Sequence, residues 1–473
     1  MDVFSSVDPV AAISLGALVV TIVVSCTVRL HVGFLAISLA WVVGVYVAGM
    51  SAREVMGGFP TRLFLTLAGV TLLFSQAQLN GTLDRVAYRA VKYARGNVGV
   101  MPMMFFLLAF LLAAVGPGNI AATALVAPMA MAVSWQVGVP PFLMAIMVGM
   151  GANAGSLSPI APTGVIVNGV MDEIGLGGFA LHTYLNNMIA HTIVVFVAYF
   201  AFGGVRLLRR RHEGAVLVPT GANDSKSRED GAGSMEFDRV YRSKSGEDGA
   251  GSMEFGRTPQ SKSGEDDANS VAFDRTHQTT LAVIASLILG VIFLGVDVGL
   301  GAFAGAVLLS VLKAGDEMEA VKIMPWRVIM MVCGVTVLIS VLDATGGLDL
   351  FTDILARASA VAPTFIIAAS TGFISLYSST SGVVLPAFLP TIPGLVDQLG
   401  VEPLALASAM NVGGHLVDVS PLSTLGALCM AAAHPSVDSR ALFNKLMAWG
   451  LSMTVVGGAV CYLLFTVLRI GLG

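Results

Sequence analysis

Charged residues are scarce in this sequence: Asp, Glu, Lys and Arg together make up 12% of its 473 residues. A soluble globular domain carries about 25% charged residues. Hydrophobic residues reach 55%, the mean hydropathy is +0.82, and uncharged apolar runs recur along the chain. A run of about 20 such residues is long enough to cross the ~30 Å hydrocarbon core of a bilayer. The composition therefore excludes a soluble globular protein and predicts an all-α polytopic membrane protein.

Cysteine is rare as well, with four residues in the whole chain. All four lie inside apolar segments, which is typical of core thiols and not of a disulfide framework. Metal-ligand spacings, nucleotide-binding loops and nucleophile motifs are missing too. We therefore expect no catalytic residues, no cofactor, no metal beyond a possible Na⁺, and no nucleic-acid partner.

The apolar segments fall into two sets of membrane spans. The predicted spans lie near 10–28, 33–50, 62–80, 141–175 and 181–208, and near 279–297, 300–315, 327–344, 403–433 and 438–470. Between the third and fourth span of each set is a longer apolar stretch interrupted by small polar residues, at 98–136 and 361–398. Each stretch predicts a re-entrant helical hairpin, because non-helical backbone inside a membrane is tolerated only against protein or a water-filled cavity.

The fourth span of each set, 141–175 and 403–433, is broken midway by Gly, Ser and Pro. Ser158-Pro159 and Ser420-Pro421 predict that each helix restarts there, because Ser caps free N–H groups and Pro suits the first helical position. Interrupted helices at equivalent places in two halves are a sequence signal of a transporter's binding site.

The two sets are related by an internal repeat. An offset of 262 aligns Gly151 with Gly413 and Ser158 with Ser420, and an offset of 265 aligns Arg62 with Arg327. We predict two inverted repeats, 1–211 and 279–473, because each holds an odd number of crossings. The distribution of Lys and Arg favours termini outside and a cytoplasmic connection between the halves.

The connection, 212–278, contains three tandem units of 18 residues, which begin SKSRED, SKSGED and SKSGEDD. Its polar composition cannot bury a core and predicts a disordered segment. It is either a duplicated flexible linker or a regulatory docking segment.

Four predicted helix starts converge near the membrane midplane. Two follow the hairpin breaks Gly116–Thr123 and Tyr377–Val384, and two follow the breaks of the interrupted helices. Helix N-termini offer unpaired N–H groups and partial positive charge, which suits a carboxylate anion. The predicted spans carry their Lys and Arg toward their ends, so we expect no fixed cation at the midplane. The missing positive charge should then arrive with the solute, as Na⁺ or H⁺.

The candidate site residues are the polar side chains and small residues at these four breaks. The predicted substrate-binding set is Asn119, Thr123, Asn153, Ser158, Thr163, Thr380, Ser381, Ser420 and Thr424. The predicted cation-coupling set is Gly118, Asn153, Ser156, Ser379, His415, Asp418 and Ser423. A carboxylate inside a span is a functional hypothesis in its own right, and His415 lies on the same helical face as Asp418, where it could share a proton. The alternative for each residue is a structural role in capping or joining helices.

Three stretches, GPGNIAATALVAPM, GANAGSLSPIAPTGVIVNG and YSSTSGVVLPAFLPTIPG, resemble the MatC-type dicarboxylate (malonate) carriers. These belong to the ion transporter superfamily together with the divalent anion:sodium symporters. The resemblance implies two inverted repeats, a homodimer and an elevator-type movement of the hairpins. It also implies a Ser-Asn-Thr signature at each hairpin tip, with Asn nine residues before a Pro. Asn119 and Pro128 keep that spacing, whereas Ser381 stands in the Asn position before Pro390.

These observations predict a multi-pass transporter of the plasma (inner) membrane, surrounded by lipid, that moves a malonate- or C4-like dicarboxylate by cation-coupled symport. A cation/proton antiporter that uses Asp418 is the alternative within the superfamily. An intramembrane hydrolase is a more remote alternative, because it needs a fixed catalytic set that the breaks do not supply.

Overall fold

The computed structural model describes residues 8–27, 30–92, 97–210 and 274–471. Within these ranges the protein is all-helical and contains no strand, as the composition predicts. The predicted linker 212–278 lies outside the described residues as far as residue 273. Residues 275–278 of the predicted linker belong to a helix that begins at Arg275. Asp274 caps this helix by accepting a hydrogen bond from the His277 amide.

Eleven helices are described in the first half and ten in the second. In the first half these are α1 (Pro9–Thr27), α2 (Val32–Val47), α3 (Ala52–Gly57), α4 (Thr61–Leu79), α5 (Thr82–Lys92), α6 (Val100–Val115), α7 (Gly118–Val137), α8 (Pro141–Gly155), α9 (Pro162–Glu173), α10 (Ala180–Ala201) and α11 (Gly204–Leu208). In the second half they are α12 (Arg275–Leu294), α13 (Val298–Val311), α14 (Glu317–Ile323), α15 (Trp326–Ala344), α16 (Gly347–Ser359), α17 (Pro363–Ser375), α18 (Thr380–Leu399), α19 (Pro403–Leu416), α20 (Thr424–Ala431) and α21 (Ser439–Val467).

Helices α1 to α10 and α12 to α21 follow in the same order, and in both halves the second helix packs against the fourth helix of the other half. Helix α2 packs against α15 of the other half, and α13 packs against α4. Both crossings depend on glycine: a Cβ on Gly334 would lie 2.2 Å from the Gly33 carbonyl oxygen, and one on Gly69 would lie 2.4 Å from the Gly299 carbonyl oxygen. Gly69 and Gly334 are aligned in the sequence repeat, so the same crossing is built twice. That the halves run in opposite senses through the membrane remains a prediction.

The first arm of each hairpin packs closely on the broken helix of its own half. A Cβ on Gly151 would lie 2.3 Å from the Phe106 carbonyl oxygen, and a Cβ on Gly413 would lie 2.3 Å from the Ala368 carbonyl oxygen. Both pairs are aligned by the offset of 262. Small residues allow this close approach between membrane helices, so α6 with α8 and α17 with α19 are rigidly paired.

Seven helices among the described residues are long and apolar enough to cross a membrane, and the bent pair α16 and α17, which meet at 116°, makes an eighth candidate. The seven are Pro9–Thr27, Thr61–Leu79, Gly118–Val137, Ala180–Ala201, Trp326–Ala344, Thr380–Leu399 and Ser439–Val467. Helices α2, α6, α8 and α13 are apolar but shorter. The protein is therefore a multi-pass integral membrane protein, and the count of ten crossings stays a prediction.

Both interrupted helices break where the sequence predicts but restart later. Helix α9 begins at Pro162 and α20 at Thr424, so the predicted restarts at Pro159 and Pro421 are wrong by three residues in each half. In the first half Pro162, and not Pro159, takes the first helical position. In the second half Ser423 caps the helix, because its Oγ accepts a hydrogen bond from the Gly426 amide at 3.4 Å.

Candidate functional site

The first hairpin tip is a tight turn between α6 and α7. Gly116 and Gly118 have φ values of 147° and 80°, which only glycine adopts readily. A Cβ on Gly116 would also lie 2.0 Å from the Phe74 ring. The break is thus shorter than the predicted Gly116–Thr123 segment. It leaves Asn119 in the first turn of α7 and Thr123 one turn further, buried.

The second hairpin tip is built differently. Ser379 caps α18 by accepting a hydrogen bond from the Gly382 amide at 3.2 Å. The first turn, Thr380–Val384, is a π-turn, and Leu389–Thr391 is a 3₁₀ turn. Such irregular turns within helices are frequent at functional sites. This tip therefore presents hydroxyl groups and irregular backbone where the first tip presents glycine and an amide.

Side-chain hydrogen bonds tie each tip to a helix break. Asn119 Nδ2 donates to Asn153 Oδ1 at 2.9 Å, and Thr380 Oγ1 donates to Asp418 Oδ1 at 2.7 Å. Asn153 Nδ2 in turn donates to the His415 carbonyl oxygen at 2.8 Å, which joins α8 to α19. Asn153 and His415 are aligned by the repeat, so the two broken helices meet at equivalent positions.

Asn153 is engaged on every side. Besides its two side-chain hydrogen bonds, its carbonyl oxygen accepts from Asn187 Nδ2 and Ser156 Oγ, each at 2.8 Å. A buried amide with all its groups satisfied holds a fixed position. Two of the predicted residues of this break, Asn153 and Ser156, therefore use polar groups for contacts within the protein.

The predicted residues converge most clearly at a cavity of about 270 Å³. It is lined by Ser25, Leu30, Val32, Asn119, Ile120, Arg327, Val328, Met331, Tyr377, Ser378, Ser379, Thr380, Ser381, Asp418, Leu422, Ser423, Thr424 and Leu425. We call it the tip cavity, because both hairpin tips and the second helix break contribute to its wall. Seven predicted residues line it: Asn119, Ser379, Thr380, Ser381, Asp418, Ser423 and Thr424.

Other predicted residues lie away from this cavity. Those that do not line it are Gly118, Thr123, Asn153, Ser156, Ser158, Thr163, His415 and Ser420, and all of them are buried. The Oγ atoms of Thr123 and Ser420 have no hydrogen-bond partner. Sequence spacing places these residues at or beside the breaks, but it does not show which residues of each turn line the cavity.

Asp418 is the single acidic residue among the described residues that line the tip cavity. Its side chain is 8% exposed and accepts the hydrogen bond from Thr380. Ser423 Oγ donates to its backbone carbonyl, which fixes the turn in front of α20. One direct side-chain hydrogen bond compensates little for the desolvation of a buried carboxylate, so a proton or a cation at Asp418 would lower the cost of burying it.

Arg327 is the residue that the sequence interpretation missed. It lies in the first turn of α15, its side chain is exposed, and it lines the tip cavity. The expectation of no fixed cation concerned the membrane midplane and left out basic residues at helix ends, one of which lines this cavity. An arginine at a helix end can extend its long side chain toward a neighbouring cavity, a reach that span boundaries alone do not reveal. The matched motif of Pro60 and Arg62 with Pro325 and Arg327 was the available signal.

His415 does not pair with Asp418 in the structure. Its Nδ1 lies 2.8 Å from the Asn411 carbonyl oxygen, and its ring packs edge-on against His191 with centroids 6.5 Å apart. Asp418 bonds to Thr380 instead. A shared proton between His415 and Asp418 would need a rearrangement of the break.

The chain is similar to known proteins in part of its sequence and in its fold. Residues 9–156 match the family model of the dicarboxylate carrier protein MatC N-terminus. The family resemblance found in the sequence is thereby confirmed for this part of the chain. Among curated proteins, no significant match is found.

Among solved structures, the fold is similar to the crystal structure of the Alcanivorax borkumensis YdaH transporter, described as having an unusual topology. The match has a TM-score of 0.54 and 14% identity, and covers 97% of this chain and 99% of the other. At this identity the likeness shows the fold alone. The carrier family model that matches residues 9–156 supports a transporter of dicarboxylates, and the whole chain shares the fold of a transporter.

Proposed function

We propose that this protein is a secondary active carrier that moves a small malonate- or C4-like dicarboxylate by symport with Na⁺ or H⁺. The observation that carries the proposal is the tip cavity, at which the two hairpin tips, the second helix break and Arg327 meet. With a volume of about 270 Å³ it suits a small solute.

The cavity offers several contacts to a carboxylate. Arg327 supplies a fixed positive charge whose guanidinium can bind a carboxylate through two parallel hydrogen bonds. Asn119, Ser381 and Thr424 lie in the first turns of α7, α18 and α20, where free N–H groups and helix dipoles favour an anion. Their side chains would hold the two ends of the solute.

Charge balance favours symport. A dicarboxylate brings two negative charges and Asp418 can add a third, while Arg327 provides one positive charge. Even with Asp418 protonated, one negative charge is left over in a partly buried site. Such a charge is costly to bury unpaired, so at least one further cation should move with the solute.

The coupling cation would bind at the second break. Asp418, Thr380, Ser379 and Ser423 offer oxygen atoms on two neighbouring turns. Oxygen ligands suit a hard cation such as Na⁺, and the carboxyl of Asp418 can alternatively carry a proton. Solute and cation would thus share one wall of the cavity.

The first arm of each hairpin is shorter than the hydrocarbon core, which supports re-entrant hairpins. Helices α6 and α17 have 16 and 13 residues, so they span roughly 24 and 20 Å, less than the ~30 Å core. We propose that each ends inside the membrane, that the halves are inverted repeats, and that the hairpins move against the remaining helices of a homodimer.

A cation/proton antiporter is the second candidate, because Asp418 is a buried acid at a helix break. It would exchange ions without an organic solute. A hydrolase has less support, because it needs a paired catalytic set and Asp418 is the single acid among the described residues that line the tip cavity.

Uptake of labelled malonate and succinate by proteoliposomes tests the proposal. We expect uptake that accelerates with an inward Na⁺ or H⁺ gradient and is competed by the unlabelled dicarboxylate. Ion exchange without uptake of either solute would favour the antiporter and contradict the carrier.

A further inference from the structure

A second cavity of about 480 Å³ lies apart from the tip cavity. It is lined by Arg62, Leu63, Thr66, Pro159, Val165, Asn168, Gly169, Asp172, Glu173, Gly295, Val296, Asp297 and Val298. We call it the Arg62 cavity. One basic group faces three acidic ones in its wall, so Arg62 is the group there that can bind an anion.

The Arg62 cavity is the repeat counterpart of the tip cavity. The offset of 265 pairs Arg62 with Arg327, and it also pairs wall residues of α4 with wall residues of α15. It pairs Leu63 with Val328 and Thr66 with Met331, and the offset of 266 that aligns the crossing glycines Gly33 and Gly299 pairs Val296 with Leu30 and Val298 with Val32. Five aligned pairs mean that each half places one arginine at the same point of its own cavity.

The two arginines differ in their partners. Arg62 Nη1 lies 3.5 Å from Asp172 Oδ2, and the two side chains are 79% and 43% exposed. A pair this long and exposed is weak and easily exchanged. The residue aligned with Asp172 by the offset of 262 is His434, which stacks on Trp135 with centroids 4.3 Å apart. Only the arginine of the first half therefore has an acidic partner at this position.

The turn after α9 makes room for that acidic partner. A Cβ on Gly177 would lie 2.6 Å from Asp172 Oδ1, so the absence of a side chain there lets the carboxylate fold back over the turn. Asp172 is thus seated between the turn and Arg62, at the place where a solute carboxylate would bind the guanidinium.

We propose that the Arg62 cavity is a second carboxylate-binding site, in which Arg62 receives the dicarboxylate on one side of the membrane and Asp172 occupies it when no solute is present. The inference rests on the proposed function, since inverted repeats would place Arg62 and Arg327 toward opposite faces. The solute would meet Arg327 on one side and Arg62 on the other, and it would displace Asp172 from the latter.

Uptake of labelled succinate into right-side-out and inside-out membrane vesicles tests this inference. Arg62→Gln should raise KM about two- to fivefold from one side only, the size expected for an exposed charge pair. Arg327→Gln should act from the other side. Asp172→Asn should lower KM on the Arg62 side by a similar factor, because it removes the competing carboxylate. Arg53→Gln, an exposed arginine outside both cavities, serves as the control.

The outcomes separate this inference from the function on which it rests. Wild-type vesicles that take up no dicarboxylate would overturn both. Normal wild-type uptake with Arg62→Gln equal to Arg53→Gln, or with Asp172→Asn raising KM as Arg62→Gln does, would overturn the inference alone. Should Arg62→Gln fail to insert, Arg62→Lys keeps the charge, and Asp172→Asn still reports on the competition.

Discussion

The two hairpin tips occupy equivalent places in the fold but make different contacts with their helix breaks. In the first half an amide meets an amide, Asn119 with Asn153, and both are buried. In the second half a hydroxyl meets an acid, Thr380 with Asp418, beside a cavity. The comparison teaches that Asn153 of the first repeat is a brace between the broken helices α8 and α19, while the second repeat places in the cavity wall a carboxyl that can bind a proton or a cation; Asn119 lines the same cavity.

Removing the acid should have the largest effect on this comparison. Asp418→Asn keeps the shape of the side chain and can still accept from Thr380, but it cannot bind a proton or balance a cation. We expect coupled dicarboxylate uptake to be lost in proteoliposomes. Asp349→Asn, an exposed acid of the same half, is the control and should transport normally. Gradient-driven uptake at the wild-type rate in Asp418→Asn would remove this residue from the coupling site.

Removing the Asn153 side chain, which braces α8 against α19, should lower the stability of the protein more than its transport rate. Asn153→Ala leaves the buried Asn119 Nδ2 group without its acceptor and removes one of the two hydrogen bonds that the His415 carbonyl oxygen accepts, the other coming from the Asp418 amide. Unsatisfied buried polar groups cost about 1–3 kcal/mol each, so we expect a lower melting temperature of the purified protein. Asn444→Ala, at an exposed position, should melt as the wild type does. Equal melting temperatures for the two variants would show that α8 and α19 are held together by other contacts.

The first hairpin tip differs from the second in its glycine backbone, and a substitution at Gly116 should lower the stability of the protein. Gly116→Ala forces an L residue to φ 147° and brings Cβ toward the Phe74 ring. Such backbone strain costs about 1–3 kcal/mol. Gly16→Ala, on α1 with no atom within 4 Å of the new Cβ, is the matched control and should be neutral or slightly stabilising. A Gly116→Ala protein as stable as Gly16→Ala would contradict the described turn.

Asn119 and Ser381 are aligned in the repeat, and substitutions at these two positions should give the smallest difference, measured as KM for the dicarboxylate. Asn119→Ala removes both a cavity contact and the bond to Asn153, whereas Ser381→Ala removes a half-buried hydroxyl of the cavity wall. We expect KM for the dicarboxylate to rise more in Asn119→Ala than in Ser381→Ala. The reverse order in uptake assays would mean that the second tip makes the stronger contact with the solute.

Much of the fold follows from the sequence because a bilayer permits few alternatives. Long apolar runs must become helices in hydrocarbon, and Gly and Pro mark helix ends such as Gly138, Pro141, Gly400 and Pro403. The three-residue error at both restarts arose because Ser-Pro occurs inside each turn. Local capping rules could not distinguish Ser420 from Ser423 as the cap.

The site was predicted in part, and for a physical reason. Residues at the tips and at the second break were placed together by the repeat and by helix polarity. Arg327 was not, since reasoning by spans assigns a residue at a helix end to the surface, whereas this residue also lines the cavity. The bond between Asn153 and the His415 carbonyl depends on how two distant helices cross, which no local pattern encodes.

The central claim is that the dicarboxylate and its coupling cation bind in the tip cavity, and labelling of Ser381→Cys in that cavity tests it most directly. Cys26, the native cysteine that is not fully buried, is first replaced by Ser. The account predicts that malonate or succinate protects the introduced cysteine from a charged thiol reagent, and that protection requires Na⁺ or a lowered pH. Labelling at the same rate with and without either dicarboxylate, whatever the Na⁺ concentration and pH, would contradict it.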